Sequence, residues 1–228
     1  NSSGSVGIQS LAGARAVNKG KVIVGNSSSA SAGIGILAES STTNLTSVVN
    51  DSGAVIEMPY AGIGIYLDSL ELGGSVTNAG TISSTQANAL GIYAKMSSAG
   101  VLGAPITAIT NTGSINLSDN GFGIFTDNST ITNSGNITVE NPGTNSIIAI
   151  YGGRNSIINN TGGNISVGEG GIAFYGNNTA MTISGGVFRL WRSAGSPHGY
   201  RHRTRRRAFV RRGKHAQSGG QQHHRYRI

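Results

Sequence analysis

The stretch TITNSGNITV, Thr130 to Val139, decides the architecture. Two short alternating segments flank an Asn-Ser-Gly turn. Period-two alternation predicts strands, with Ile131, Ile137 and Val139 facing inward and Thr132 and Thr138 outward. Asn133 falls at the turn, where a side-chain amide can bond backbone groups. Gly135 falls where a residue with positive φ is expected, and Gly113 and Gly80 hold the same place in other copies of the turn.

The unit is repeated along the chain as VNKGKV, NDSGAV, TNAGTI, TNTGSI, TNSGNI and NTGGNI. A second signature alternates with it: SVGIQ, GIGIL, GIGIY, LGIY, GFGIF, IIAIY and GIAFY. Aligned on Ile8, Ile36, Ile65, Ile92, Ile124, Ile150 and Phe174, it recurs in steps of 28, 29, 27, 32, 26 and 24 residues. Thirty-six glycines and the abundance of Asn and β-branched residues oppose helix, and no 3.6-residue apolar stripe is sustained.

A unit this short cannot bury its own apolar face, but a stack of units can. The expected fold is all-β: a right-handed parallel β-helix of about six or seven coils, each rising roughly 4.8 Å. One core ladder should hold Ile65, Ile92, Ile124 and Ile150, and another Ile82, Ile115, Ile137 and Ile165. Asn133 should stack on Asn111 and Asn78.

Charge divides the chain in two. Residues 1–188 carry nine acids and five bases (Arg15, Lys19, Lys21, Lys95 and Arg154). Residues 189–228 carry the remaining twelve bases, no acid, all five histidines and the single Trp. The overall charge of +8 therefore describes neither part. We expect a β-helical region at 1–188 and a disordered basic tail at 189–228, translated out of frame. Shifting KHAQSGGQQHHRYRI forward by one base forces Lys214, Gln221 and Gln222 to Asn or Ser, and His223, His224 and Tyr226 to Ile or Thr. Permitted codons then give NTLKVGGNNITGIG, in the idiom of the coils. Sequencing the gene through the codons around Phe188 tests this. The tail lacks an RNA-binding aromatic motif and zinc-ligand spacing, so no specific nucleic-acid partner is expected, and the His223–His224 pair is a weak metal signal. Were the tail genuine, non-specific nucleic-acid binding through it is the alternative.

Alternating TNxGxI and GIGIY units, free of Cys and rich in Ser, Thr, Asn and Gly, resemble the passenger region of bacterial autotransporter adhesins over about residues 5–186. The resemblance implies a β-helical passenger displayed at the cell surface and anchored in the outer membrane of a Gram-negative bacterium by a C-terminal β-barrel. It implies host-surface glycans or proteins, or like passengers on other cells, as partners. No signal peptide or barrel strand is present, so the sequence is expected to be an internal fragment.

Absence of Cys excludes disulfides and thiolate chemistry. No stretch approaches the roughly 20 apolar residues of a membrane helix. Residues 1–188 contain no His, which removes the usual general base. Glycoside hydrolysis needs two carboxylates about 5–9 Å apart. The acids are scattered at mostly non-equivalent positions of the repeat; Asp68 with Glu71, and Asp119 with Asp127, are taken as the near pairs, and both are expected to be turn or solvated-loop acids. No catalytic, cofactor-binding or metal-binding residue is expected, and no cofactor. A polysaccharide-active β-helix enzyme is the alternative. Asn136 and Asn164 begin Asn-x-Ser/Thr triplets that follow from composition. Tyr66, Tyr93 and Tyr151 close the GIY-type signature; we expect them to stack on one another between rungs, the other reading being a sugar-stacking platform.

Overall fold

The computed structural model describes residues 4–26, 30–69, 73–96, 107–140 and 147–190. They form a parallel β-helix of three seven-stranded sheets, with no helix among the described residues. The first sheet stacks β1 (Ser5–Ser10), β4 (Gly33–Glu39), β7 (Gly62–Ser69), β10 (Leu90–Met96), β13 (Phe122–Asp127), β16 (Ile148–Gly153) and β19 (Ile172–Gly176). The second stacks β2 (Arg15–Asn18), β5 (Thr46–Asn50), β8 (Gly74–Asn78), β11 (Thr107–Asn111), β14 (Ser129–Asn133), β17 (Ile157–Asn160) and β20 (Ala180–Ile183). The third stacks β3 (Lys21–Ile23), β6 (Val55–Met58), β9 (Thr81–Ser84), β12 (Ser114–Leu117), β15 (Asn136–Val139), β18 (Ile165–Val167) and β21 (Phe188–Leu190). Each coil takes one strand from each sheet, which makes seven coils. The last strand runs two residues past the composition change at Phe188. Most of residues 189–228, with the histidine pair, lie outside the described residues, as does Glu71.

The register follows the repeat. Ile8, Ile36, Ile65, Ile92, Ile124, Ile150 and Phe174 are paired in succession down the first sheet. Ile56, Ile82, Ile115, Ile137 and Ile165 do the same down the third. Val48, Val76, Ile109, Ile131 and Ile158 line the second. Apart from Ile8 in the first coil, which is only partly buried, these side chains are essentially inaccessible and form one axial core. Ile131, Ile137 and Val139 point in, while Thr132 and Thr138 are partly exposed.

The asparagine stack is longer than three. Nδ2 of Asn18, Asn50, Asn78, Asn111 and Asn133 each donates to Oδ1 of the next asparagine, ending on Asn160, at 2.7–2.9 Å. All six are buried. At the last of them, Asn160 Nδ2 donates to the carbonyls of Gly163 and Gly185.

Two expectations are corrected. Gly80, Gly113 and Gly135 do not have positive φ; positive φ falls instead at glycines such as Gly53 and Gly162. From the ladder Asn to the next core residue is four positions in TNAGTI, TNTGSI and TNSGNI, but six from Asn50 to Ile56 and five from Asn160 to Ile165. Only the longer turns need a left-handed residue to absorb the extra length. In the short turns glycine is required by proximity: a Cβ on Gly113 would lie 2.1 Å from the Gly80 carbonyl oxygen, and one on Gly135 2.1 Å from that of Gly113. On Gly80 it would meet the Ala54 carbonyl oxygen at 2.2 Å.

Strict alternation also fails in the first sheet. In Gly62–Ser69, Gly64 and Ile65 are consecutive buried residues, with Ile63 and Tyr66 half-exposed on either side. The strand turns inward at the glycine, where a Cβ would strike Ile82 Cγ2 and the Gly91 carbonyl oxygen at 2.4 and 2.6 Å. Gly35, Gly91 and Gly123 repeat the contact in their own coils.

Candidate functional site

The inward step at Gly-Ile decides what the outer face of the first sheet displays. Because two consecutive residues turn in, the residues before and after them both face out. One outward column is Ile34, Ile63, Leu90, Phe122, Ile148 and Ile172. The other is Leu37, Tyr66, Tyr93, Phe125, Tyr151 and Tyr175. From the second coil to the seventh every position in both columns is aliphatic or aromatic, and every one is partly accessible. The second and third sheets differ. From the third coil on, their outward strand positions are Ser, Thr and Asn, apart from Ala108, Ile157, Ala180 and Arg189. Apolar surface gathered on one face of a repeat marks a contact surface more strongly than scattered apolar residues do.

The rings stack along the axis, as expected for Tyr66, Tyr93 and Tyr151. Phe125 and Tyr151 lie 4.3 Å apart and 5° from parallel, and Tyr151 and Tyr175 lie 5.3 Å apart and 9° from parallel. Tyr66 and Tyr93 are tilted at 5.2 Å, and Tyr93 meets Phe125 edge-on at 5.5 Å. Both geometries are favourable for ring quadrupoles. A sugar stacks on a free ring face, and from Phe125 to Tyr175 the faces are turned toward neighbouring rings, so this part of the ladder presents ring edges.

A charged rim follows the aromatic column. Glu39 and Asp68 are neighbours in register, as are Asp68 and Lys95. Asp127 lies further along, paired with Arg154 at 3.1 Å. The Tyr66 hydroxyl donates to Asp68 Oδ2 at 3.4 Å. Burial first, and the Asp68 carboxylate second, push the Tyr66 phenol up to about 12. Burial, with Asp127 next, also raises Tyr151.

Of the two acid pairs, Asp119 and Asp127 are placed apart, and Glu71 lies outside the described residues. Asp119 sits in the turn before β13 and Asp127 ends that strand, so roughly 17 Å of extended chain separates the two ends of β13. That exceeds the spacing of a glycosidase pair. Asp119 Oδ1 is buried with no hydrogen-bond partner, while its backbone carbonyl accepts from Asn88 N at 2.9 Å. Among the described residues no three His, Cys, Asp or Glu gather as a metal site. Asn136 and Asn164 lie exposed on adjacent coils, bonded Nδ2 to Oδ1 at 3.1 Å, beside a shallow groove of about 260 Å³ lined also by Thr138, Ser166 and Arg189.

The aliphatic half of the wall is not evident from alternation, which would put both isoleucines of GIGIY on one side. Its signal was the glycine between them.

Three parallel sheets around an apolar axis, bearing one apolar outer face, are the architecture of a β-helical surface module. Residues 1–152 match the family model described as the BigA third pectate lyase-like domain, and the chain belongs to that family. The match fits a surface adhesin-like β-helix module of a bacterial protein. The same coil pattern continues without a break through Leu190. No curated protein and no solved structure matched the chain.

Proposed function

We propose that this chain is a structural and adhesive segment of an autotransporter-type passenger stalk, exposed at the outer membrane, which presents the outer face of its first sheet as a contact surface and performs no catalysis. The observation that carries the reading is the aliphatic–aromatic wall, unbroken over six coils, on a solenoid whose other two faces are mostly hydroxyl and amide from the third coil on. The core supports it mechanically. Three ladders and a buried amide chain fix the coils to one another, so side chains on the wall keep their spacing along the rod. The pectate lyase-like name describes a fold, and folds host many functions.

The test is display of the chain on a non-adherent cell. Adhesion to host cells or to like cells should rise, and replacing Tyr93 or Phe125 by Lys should lower it. Unchanged adhesion on display, or adhesion indifferent to both substitutions, contradicts the reading. The catalytic alternative has its own outcome: turnover of any polysaccharide that is lost in Asp119→Asn or Asp127→Asn.

A further inference from the structure

We propose that the groove on the outer face of the third sheet, over the fifth to seventh coils, binds the terminal carboxylated sugar of a glycan. The site is separate from the apolar wall and lies on another face of the rod.

Two outward columns build the groove. One carries Asn136, Asn164 and Val187, and the other Thr138, Ser166 and Arg189. By composition Arg189 falls in the basic tail, yet it pairs in register with Ser166 and so belongs to the last coil.

Hydrogen bonding along the first column has a direction. Val187 N donates to Asn164 Oδ1 at 3.0 Å, and Asn164 Nδ2 donates to Asn136 Oδ1 at 3.1 Å. Both amide oxygens are therefore engaged, and the group left over at the end of the relay is the Asn136 amino group, a donor. Neither the Thr138 hydroxyl nor the Arg189 guanidinium has a protein partner among the described residues.

No acid lines the groove; Glu140 and Glu169 lie beyond the ends of β15 and β18. The acid on the column of Arg189 is Glu57, five coils away. That is roughly 24 Å at 4.8 Å per coil, well past the ~8 Å screening length of physiological salt. The groove is thus rich in donors and positive at one end, which suits an anion that also offers hydroxyl oxygens.

Shape narrows the class. The guanidinium fork matches a carboxylate with two parallel N–H···O bonds. Thr138 and Asn136 stand two coils from Arg189, about 10 Å along the axis, so a small inorganic ion cannot reach both ends. A sugar ring bearing a carboxylate spans them. Val187, 52% exposed, and Ile165 offer an apolar patch to the C–H face of the ring. The volume of about 260 Å³ is below the roughly 300–1,000 Å³ of pockets for drug-sized ligands, which suits one terminal sugar.

The test is titration of the ¹⁵N-labelled full-length chain with N-acetylneuraminic acid or glucuronic acid at constant ionic strength. The amide signals of Asn136, Asn164 and Ser166 should shift saturably, and those of Thr77 and Tyr93 should stay in place. Glucose and the methyl ester of either acid should bind at least tenfold more weakly. Arg189→Gln should weaken binding at least tenfold, and Arg189→Lys, which keeps the charge without the fork, by less. Circular dichroism melting guards against unfolding, and Thr138→Val serves if Arg189→Gln melts lower. Absence of shifts, shifts outside the groove, equal binding of glucose, or displacement by acetate or sulfate at equal concentration each overturn the proposal.

Discussion

At the residue scale the asparagine column is the strongest single commitment in the chain. Each amide between the two ends of the column uses Oδ1 and Nδ2 on its neighbours above and below, and all are buried. Replacing Asn111 by Ala leaves the Asn78 donor and the Asn133 acceptor unpaired. At about 1–3 kcal/mol for each orphaned group, the loss should be about 2–6 kcal/mol, measured by urea denaturation. A loss under 1 kcal/mol would mean that the ladder is not formed. The glycines divide by mechanism. Gly113→Ala drives a methyl into the Gly80 carbonyl and should cost more than Gly53→Ala, where space is open and only the left-handed conformation, about 1–2 kcal/mol, is at stake. Gly53→Asn should be nearly neutral, because Asn tolerates that conformation. Tyr66 carries a pH signature. Its folded-state value lies above the ordinary 10.0, so the stability it contributes is complete below pH 10 and is lost as pH rises toward about 12. Melting temperatures between pH 9 and 12 should fall less steeply in Tyr66→Phe, and an identical slope would contradict the assignment.

At the scale of the element, strands were legible from period-two alternation wherever the turn was short and both sides of the strand had distinct chemistry. TITNSGNITV gave its three inward residues, and the ladders of Ile65 and Ile115 were visible because the same residue type returned at each step. Two things were not legible. Turn length, rather than the mere presence of Gly after Asn, fixes which glycine takes positive φ, and that depends on where the next strand joins its neighbour. The first isoleucine of GIGIY faces out because Gly64 has no side chain to keep it from folding in against Ile82, a contact between sheets that one strand's sequence does not show. The apolar wall was hidden for the same reason, although its aromatic half was quoted in the repeat. Ile115→Asp tests the element directly. It buries an unpaired charge between Ile82 and Ile137, at a cost of several kcal/mol against the ~5–15 kcal/mol that holds a domain together. The variant should not fold, as read by loss of the strand signal in circular dichroism.

At the scale of the molecule, the central claim is that the coils stack one upon another as parallel rungs, with the same position recurring on the same face. Stability then resides in nearest-neighbour interfaces, and any contact function rides on a surface whose spacing the stack sets. Val49, Thr77, Thr110, Thr132 and Asn159 form one outward column of the second sheet. Val49 and Asn159 are four coils apart on that column, about 19 Å at 4.8 Å per coil. In a chain without Cys, spin labels on Val49→Cys and Asn159→Cys give their separation directly by pulsed electron resonance. The account predicts a single narrow distribution centred near 20 Å. A broad distribution, or one centred beyond about 30 Å, would contradict the stack.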